Sequence, residues 1–141
     1  MATAVDTTLL ASRLRLALGH LVRRLRAEHS FPFTQGSVLG RLDREGCKSI
    51  GDLAALERVR PQSMTQTIAD LQDDGLIERR ADPDDGRRTI VELTERGLET
   101  LQADRRHRVG WLARAIADDL SPREQRLLAD ALPLIERLAE D

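Results

Sequence analysis

Aromatic residues are nearly missing from this chain: two Phe, one Trp and no Tyr in 141 residues. Proteins that hold single-stranded bases stack them on aromatic rings, so that mode of binding is not expected. Cysteine is used once, at Cys47, which rules out a disulfide framework and fits a reducing compartment. No apolar run approaches the ~18 residues that a membrane span requires. The opening MATAVDTTLLASRLRLALGH places Arg13 and Arg15 where a signal peptide would be apolar. The expectation is a soluble, cytoplasmic protein with no membrane partner. No Ser-His-Asp set, glycine-rich phosphate loop or paired carboxylates in a recognisable setting occurs, so no enzyme is expected. His20, His29, His107 and Cys47 lack the spacing of metal ligands. No metal and no cofactor are expected.

A large excess of positive charge is also lacking. The net charge is −2, and Lys48 is the only lysine among 22 basic residues. A strongly basic chain would point to nucleic acid by charge alone, and this one does not. The length suits one domain, 1–141.

What is present is helical periodicity. Leu14, Leu18, Leu21 and Leu25 repeat at three- and four-residue spacing within a first helix over about 5–29. Phe31-Pro32-Phe33 breaks it, because proline disfavours helical geometry in the residue before it. Thr34 reads as the N-cap of a second helix through Val38, Leu39 and Leu42. Ser49-Ile50-Gly51-Asp52 has the form of a capping box and opens a short helix over 49–57. Pro61 suits the first position of the next helix, 61–74, and Gly75 its left-handed stop. Leu76–Arg80 and Thr89–Leu93 read as strands around the turn-rich ADPDDGR. Thr94 then caps a long helix carrying Leu98, Leu101, Val109, Leu112, Ile116 and Leu120. Ser121-Pro122-Arg123-Glu124 starts a last helix that contains Leu127, Leu128, Leu132, Ile135 and Leu138.

The tight break between helices 49–57 and 61–74 is the spacing of a helix-turn-helix. A hairpin directly after it makes a winged helix. The fold class expected is mainly α: a winged helix-turn-helix core with a two-stranded β-hairpin wing, flanked by N- and C-terminal helices. In that arrangement the N-terminal residues of the second helix reach base edges in the major groove. Met64, Ile68 and Leu71 form its core face. Gln62, Ser63, Thr65 and Gln66 form the opposite face, which offers hydrogen-bonding groups that read bases. Arg60, Arg79, Arg87 and Arg88 are the candidate phosphate and groove contacts. Arg60–Arg88 also holds seven acids (Asp70, Asp73, Asp74, Glu78, Asp82, Asp84, Asp85) against five arginines, so any basic face must arise by segregation.

The sequence resembles the MarR (multiple antibiotic resistance regulator) family over nearly its whole length. The residues that carry the resemblance are Leu53-Ala54, Leu71 with Asp74-Gly75-Leu76-Ile77, Arg79-Arg80, Asp82-Pro83-Asp84-Asp85-Gly86-Arg87-Arg88, and Leu93-Thr94-Glu95-Arg96-Gly97. The resemblance implies a homodimeric regulator of transcription that binds double-stranded DNA. It implies a winged-helix module over 34–97 and dimerisation helices over 5–30 and 98–139. It implies that Arg87 enters the minor groove with Arg88 beside it, and that Asp85 orients the wing. Repression of an inverted repeat and release by a small aromatic effector are further implications, with no effector-binding residue identified. The leucines of the first and last helices agree with a dimer, since one small core cannot bury them all. Two other readings stay open: a winged-helix module for protein or RNA contacts, and a redox-sensing regulator using the Cys47 thiol.

Overall fold

A computed structural model of the chain describes residues 3–140. The elements in order are α1 (Thr7–Ala27), α2 (Phe33–Glu45), β1 (Lys48–Ser49), α3 (Ile50–Glu57), α4 (Pro61–Asp73), β2 (Ile77–Ala81), β3 (Thr89–Leu93), α5 (Glu95–Asp119) and α6 (Pro122–Ala139). The three strands form one antiparallel sheet in the order β1-β3-β2. Two compact units divide the chain after Arg105, within α5.

Most helix starts follow from local chemistry. Asp6 caps α1 by accepting from the N–H groups of Thr8 and Leu9 at 3.0 and 3.1 Å. Ser121 and Glu124 complete a capping box at α6, and that helix continues through Pro133. Two caps differ from expectation. Thr34 lies inside α2, whose N-cap is Pro32 without a side-chain bond. The proline ring fixes φ there (−53°) and the backbone is extended (ψ 145°), so the helix begins two residues earlier than a Thr34 cap would place it. Ser49 caps α3 through the Asp52 N–H at 3.0 Å, but the Asp52 carboxylate turns to Arg88 and does not close the box.

The hairpin pairs Ile77 with Leu93 and Ala81 with Thr89. A third strand joins it, with Lys48 opposite Val91 and Ser49 opposite Ile90. The sheet thus has three strands where two were expected. A two-residue strand carries no alternating pattern that a sequence can show.

The core of this first unit is contributed by every element of the helix-turn-helix. Val38, Leu39, Leu42, Leu53, Ala54, Met64, Ile68, Leu71, Leu76, Ile77, Val91 and Leu101 are buried together. Arg58 makes the turn between α3 and α4 in the left-handed region (φ 55°), a conformation that disfavours non-glycine residues. Val59 N–H closes the turn on the Ala54 carbonyl at 3.0 Å. Val109, expected in the apolar stripe of α5, is exposed. Asp104 takes a buried slot one turn after Leu101. Its carboxylate accepts from Ser30 N–H at 2.7 Å and His29 Nδ1 at 3.0 Å, and so joins the connection between α1 and α2 to α5.

The junction of α4, β2 and α5 is the tightest point. Gly75 takes φ 76° and ends the α4 segment. Thr94 Oγ1 donates to the Gly75 carbonyl at 2.7 Å and accepts from Gly97 N–H at 3.0 Å. A Cβ on Gly97 would meet the Leu76 carbonyl oxygen at 2.0 Å and Leu93 Cδ1 at 2.9 Å. The carbonyl cannot yield without moving the strand entry. Gly97→Ala is therefore expected to cost about 2–3 kcal/mol, at the upper end for overpacking. Thermal melting checks this: the variant should lose at least about 6 °C.

Candidate nucleic-acid interface

Helix α4 presents two faces. Met64, Ile68 and Leu71 are buried, while Gln62, Ser63, Thr65 and Gln66 are exposed. Arg60 is the N-cap and forms no side-chain capping bond. The first N–H groups of α4 are consequently unclaimed by a capping side chain, and a helix start of this kind favours phosphate. The first turn contains no acid.

The polar side chains differ in readiness. Thr65 Oγ1 donates to the Pro61 carbonyl at 2.9 Å, which leaves its oxygen as an acceptor. Gln66 Nε2 donates to Asp70 at 2.9 Å. The second N–H and the carbonyl oxygen of Gln66 stay available for a base. Asp70, Asp73 and Asp74 lie at the far end of the helix, away from Gln62 and Ser63.

The wing loop is built by its own acids. Asp82 accepts from Asp84 N–H at 2.9 Å, and Asp85 accepts from Arg87 N–H at 3.1 Å. Such turns, in which an aspartate accepts from the backbone two residues on, form locally. The loop closes through Asp82 N–H to the Arg88 carbonyl and Arg88 N–H to the Asp85 carbonyl, both at 3.0 Å. Arg87 is exposed.

Two other candidate arginines, Arg88 and Arg79, have partners, as does the neighbouring Arg80. Arg88 Nη2 donates to Ser49 Oγ and to Asp52 Oδ2, each at 2.9 Å. Arg79 Nε donates to Gln72, not to an acid. Arg80 faces Glu92 at 3.8 Å. Cys47 is exposed, with Arg80 Nη2 at 4.0 Å from its sulfur. The wing loop, β2 and α4 thus bring Arg87, Arg79 and the polar face into one module. No group of three or more His, Cys, Asp or Glu with the geometry to hold a metal occurs among the described residues.

Several residues that hold this module were invisible to local pattern. Glu57, at the end of α3, accepts from Ser37 Oγ at 2.6 Å and Arg41 Nε at 2.7 Å, both on α2. Burial alone would push its carboxyl up. The hydrogen bonds from Ser37 and Arg41, with the charges of Arg41 and Arg44, outweigh burial and hold it below the ordinary carboxylate range. The partners lie 16 and 20 residues away, so no short motif announces them. Asp104 did leave a signal, since a carboxylate stood in an otherwise apolar stripe.

The comparisons with known proteins agree with this geometry. The model of the MarR family matches residues 32–89, from the start of α2 to the start of β3. The chain is 42% identical over 135 residues to the HTH-type transcriptional regulator Mb0904 of Mycobacterium bovis, covering 94% of each. A transcriptional regulator of Pseudomonas aeruginosa PA01 superposes with a TM-score of 0.81 at 38% identity, over 96% of this chain and 98% of that one. MepR of Staphylococcus aureus, solved as a point mutant bound to an oligodeoxyribonucleotide, shares the fold with a TM-score of 0.69 at 18% identity, over 93% and 98%. A helix-turn-helix with a wing, built on these residues, is that of a winged-helix transcriptional regulator. The chain belongs to the MarR family. The family and these relatives are regulators, not enzymes. Among the described residues no helix is long and apolar enough to cross a membrane.

The Glu57 cluster yields a signed expectation. A carboxylate held below its unfolded value stabilises the fold above that value, about 4.3, and loses the contribution as the pH falls through its folded value. Glu57→Gln should cost about 1.5–3 kcal/mol at pH 7, the worth of a hydrogen bond to a charged group. The gap between variant and parent in urea unfolding should shrink steadily below about pH 4.

Proposed function

We propose that the protein is a homodimeric repressor that binds an inverted repeat in duplex DNA. The observation that carries this reading is the exposed, uncharged, donor- and acceptor-rich face of α4, set in the same module as the exposed Arg87. Gln62, Ser63, Thr65 and Gln66 meet base edges in the major groove. Arg87 enters the adjacent minor groove. Arg60 and Arg79 face phosphates and fix the register.

The dimer rests on separate observations in the two units. Helix α1 has no buried residue and leaves Leu9, Leu10, Leu16, Leu18, Leu21 and Val22 exposed. Helix α6 has none either and exposes Leu127, Leu128, Leu132, Leu134 and Leu138. Apolar faces of this extent are covered in a stable soluble protein, and a two-fold copy of the chain is the cover this reading assigns. Two half-sites about one helical turn apart follow from that symmetry. Release by a small aromatic ligand belongs to the same reading and rests on family resemblance. The compartment that fits is the cytoplasm.

Binding to the DNA upstream of its own gene, and to a selected pool of random duplexes, should protect an inverted repeat against excess non-specific competitor. Arg87→Ala and Gln66→Ala should each weaken the selected site by roughly tenfold, within the range for single base or groove contacts. Sedimentation should give twice the 15.8 kDa chain mass. No enrichment from the random pool would overturn the DNA reading in favour of a protein-interaction module. A monomer that binds a single half-site would overturn the dimer alone.

A further inference from the structure

We propose that Arg88 is not a DNA contact but the latch that positions the wing, with Asp52 as its catch. This rests on the DNA-binding reading above and assigns a positioning role within it. Asp52 occupies the third position of α3, where its carboxylate would complete a capping box by returning to the Ser49 N–H. It does not return. It accepts from Arg88 Nη2 at 2.9 Å. The same nitrogen donates to Ser49 Oγ at 2.9 Å, and Ser49 Oγ also accepts the Asp52 N–H at 3.0 Å. Three groups from two distant segments therefore close on one another, and the hydroxyl at their centre belongs to a buried residue.

The backbone makes this contact consequential. Ser49 lies in β1 opposite Ile90 of β3, so the start of α3 already touches the outgoing stem of the wing. Arg88 is the residue immediately before β3. Its N–H and carbonyl close the wing turn on Asp85 and Asp82. Fixing its guanidinium on α3 fixes the end of the loop from which Arg87 projects. The recognition helix and the wing are thereby referred to one common element, α3, which precedes α4 through a three-residue turn.

The two roles open to Arg88 make opposite predictions for Asp52. If Arg88 is a spare cation for phosphate, Asp52 competes with the DNA. Asp52→Asn would then free the arginine, remove a negative charge and tighten binding. If Arg88 is a latch, Asp52→Asn weakens binding although it removes an acid. Both groups are about half exposed, at 47% and 56%. The loss is therefore that of an exposed ion pair, roughly two- to fivefold.

The experiment measures the affinity of the full chain for its selected duplex across a salt series. The parent is compared with Asp52→Asn, Arg88→Met and the double variant, with melting temperatures recorded alongside. The latch predicts equal losses for both single variants and no further loss in the double variant. It predicts a salt slope unchanged from the parent in all three. It also predicts a reduced penalty for exchanging A·T for G·C beneath the wing, because an untethered Arg87 reads the minor groove less sharply. Tighter binding by Asp52→Asn, or a slope reduced by about one in Arg88→Met, would overturn it and make Arg88 a phosphate contact. Additive losses would overturn it too. A parent that selects no site would instead sink the DNA-binding reading, a result distinct from all of these.

Discussion

The carbonyl oxygen of Leu76 leaves no room for a side chain at Gly97, and much of the molecule is arranged around that approach. Leu76 follows the glycine that stops the recognition helix and precedes the first wing strand. Gly97 lies in the first turn of α5. Thr94 bridges them, donating to one side and accepting from the other. Its own N–H bonds the Leu76 carbonyl at 3.1 Å. One contact therefore fixes the end of α4, the entry of β2, the exit of β3 and the start of α5. The Leu-Thr-x-x-Gly pattern of the sequence is the chemical statement of that constraint. The hydroxyl caps the helix and pins the turn, and the glycine permits the approach.

Acids outnumber bases in this chain, yet the proposed partner is a polyanion. The structure shows how much of that acidity is consumed internally. Asp52 is met by Arg88, Glu57 by Arg41, Asp43 by Arg105 and Asp104 by His29. Asp82 and Asp85 spend oxygens on loop N–H groups, and Asp70 accepts from Gln66. A carboxylate that holds a turn or an arginine shapes the surface but contributes less to the outward field than its formal charge suggests. Formal net charge is thus a poor guide to the potential that DNA would meet at α4 and Arg87. It remains a guide to long-range steering, which is weak for a chain near neutrality.

The helix-turn-helix was legible because its signals are local. Pro61 at a first helical turn, Gly75 at φ 76° and the three-residue break at Arg58–Arg60 each act within a few residues. Met64, Ile68 and Leu71 announced the buried face by spacing alone. The rest depended on partners far apart in sequence. Lys48-Ser49 became a strand only because Val91 and Ile90 were there to pair. Asp52 left its capping box because Arg88, 36 residues away, offered a stronger donor. Thr34 lost the cap of α2 to the preset backbone of Pro32. Val109 fitted the apolar period of α5, but the period alone could not say that Asp104 would occupy a buried slot and Val109 an exposed one.

The recognition helix has no basic residue in its first or last turn, and this constrains how a regulator of this kind divides its tasks. A helix that carries lysines gains affinity from every duplex and must recover specificity elsewhere. Here the face of α4 proposed to read the major groove offers only neutral groups, whose bonds to bases exchange with bonds to water and yield little unless the geometry matches. On the proposed reading, affinity for arbitrary DNA would come from the helix start and from a few arginines, so few counterions would be released and non-specific binding would stay weak at cellular salt. Discrimination would then fall to how accurately Arg87 and α4 are held with respect to each other. That accuracy is mechanical. On the proposed reading it is set by a glycine against a carbonyl at one end of the wing and by the Arg88 latch on the start of α3 at the other.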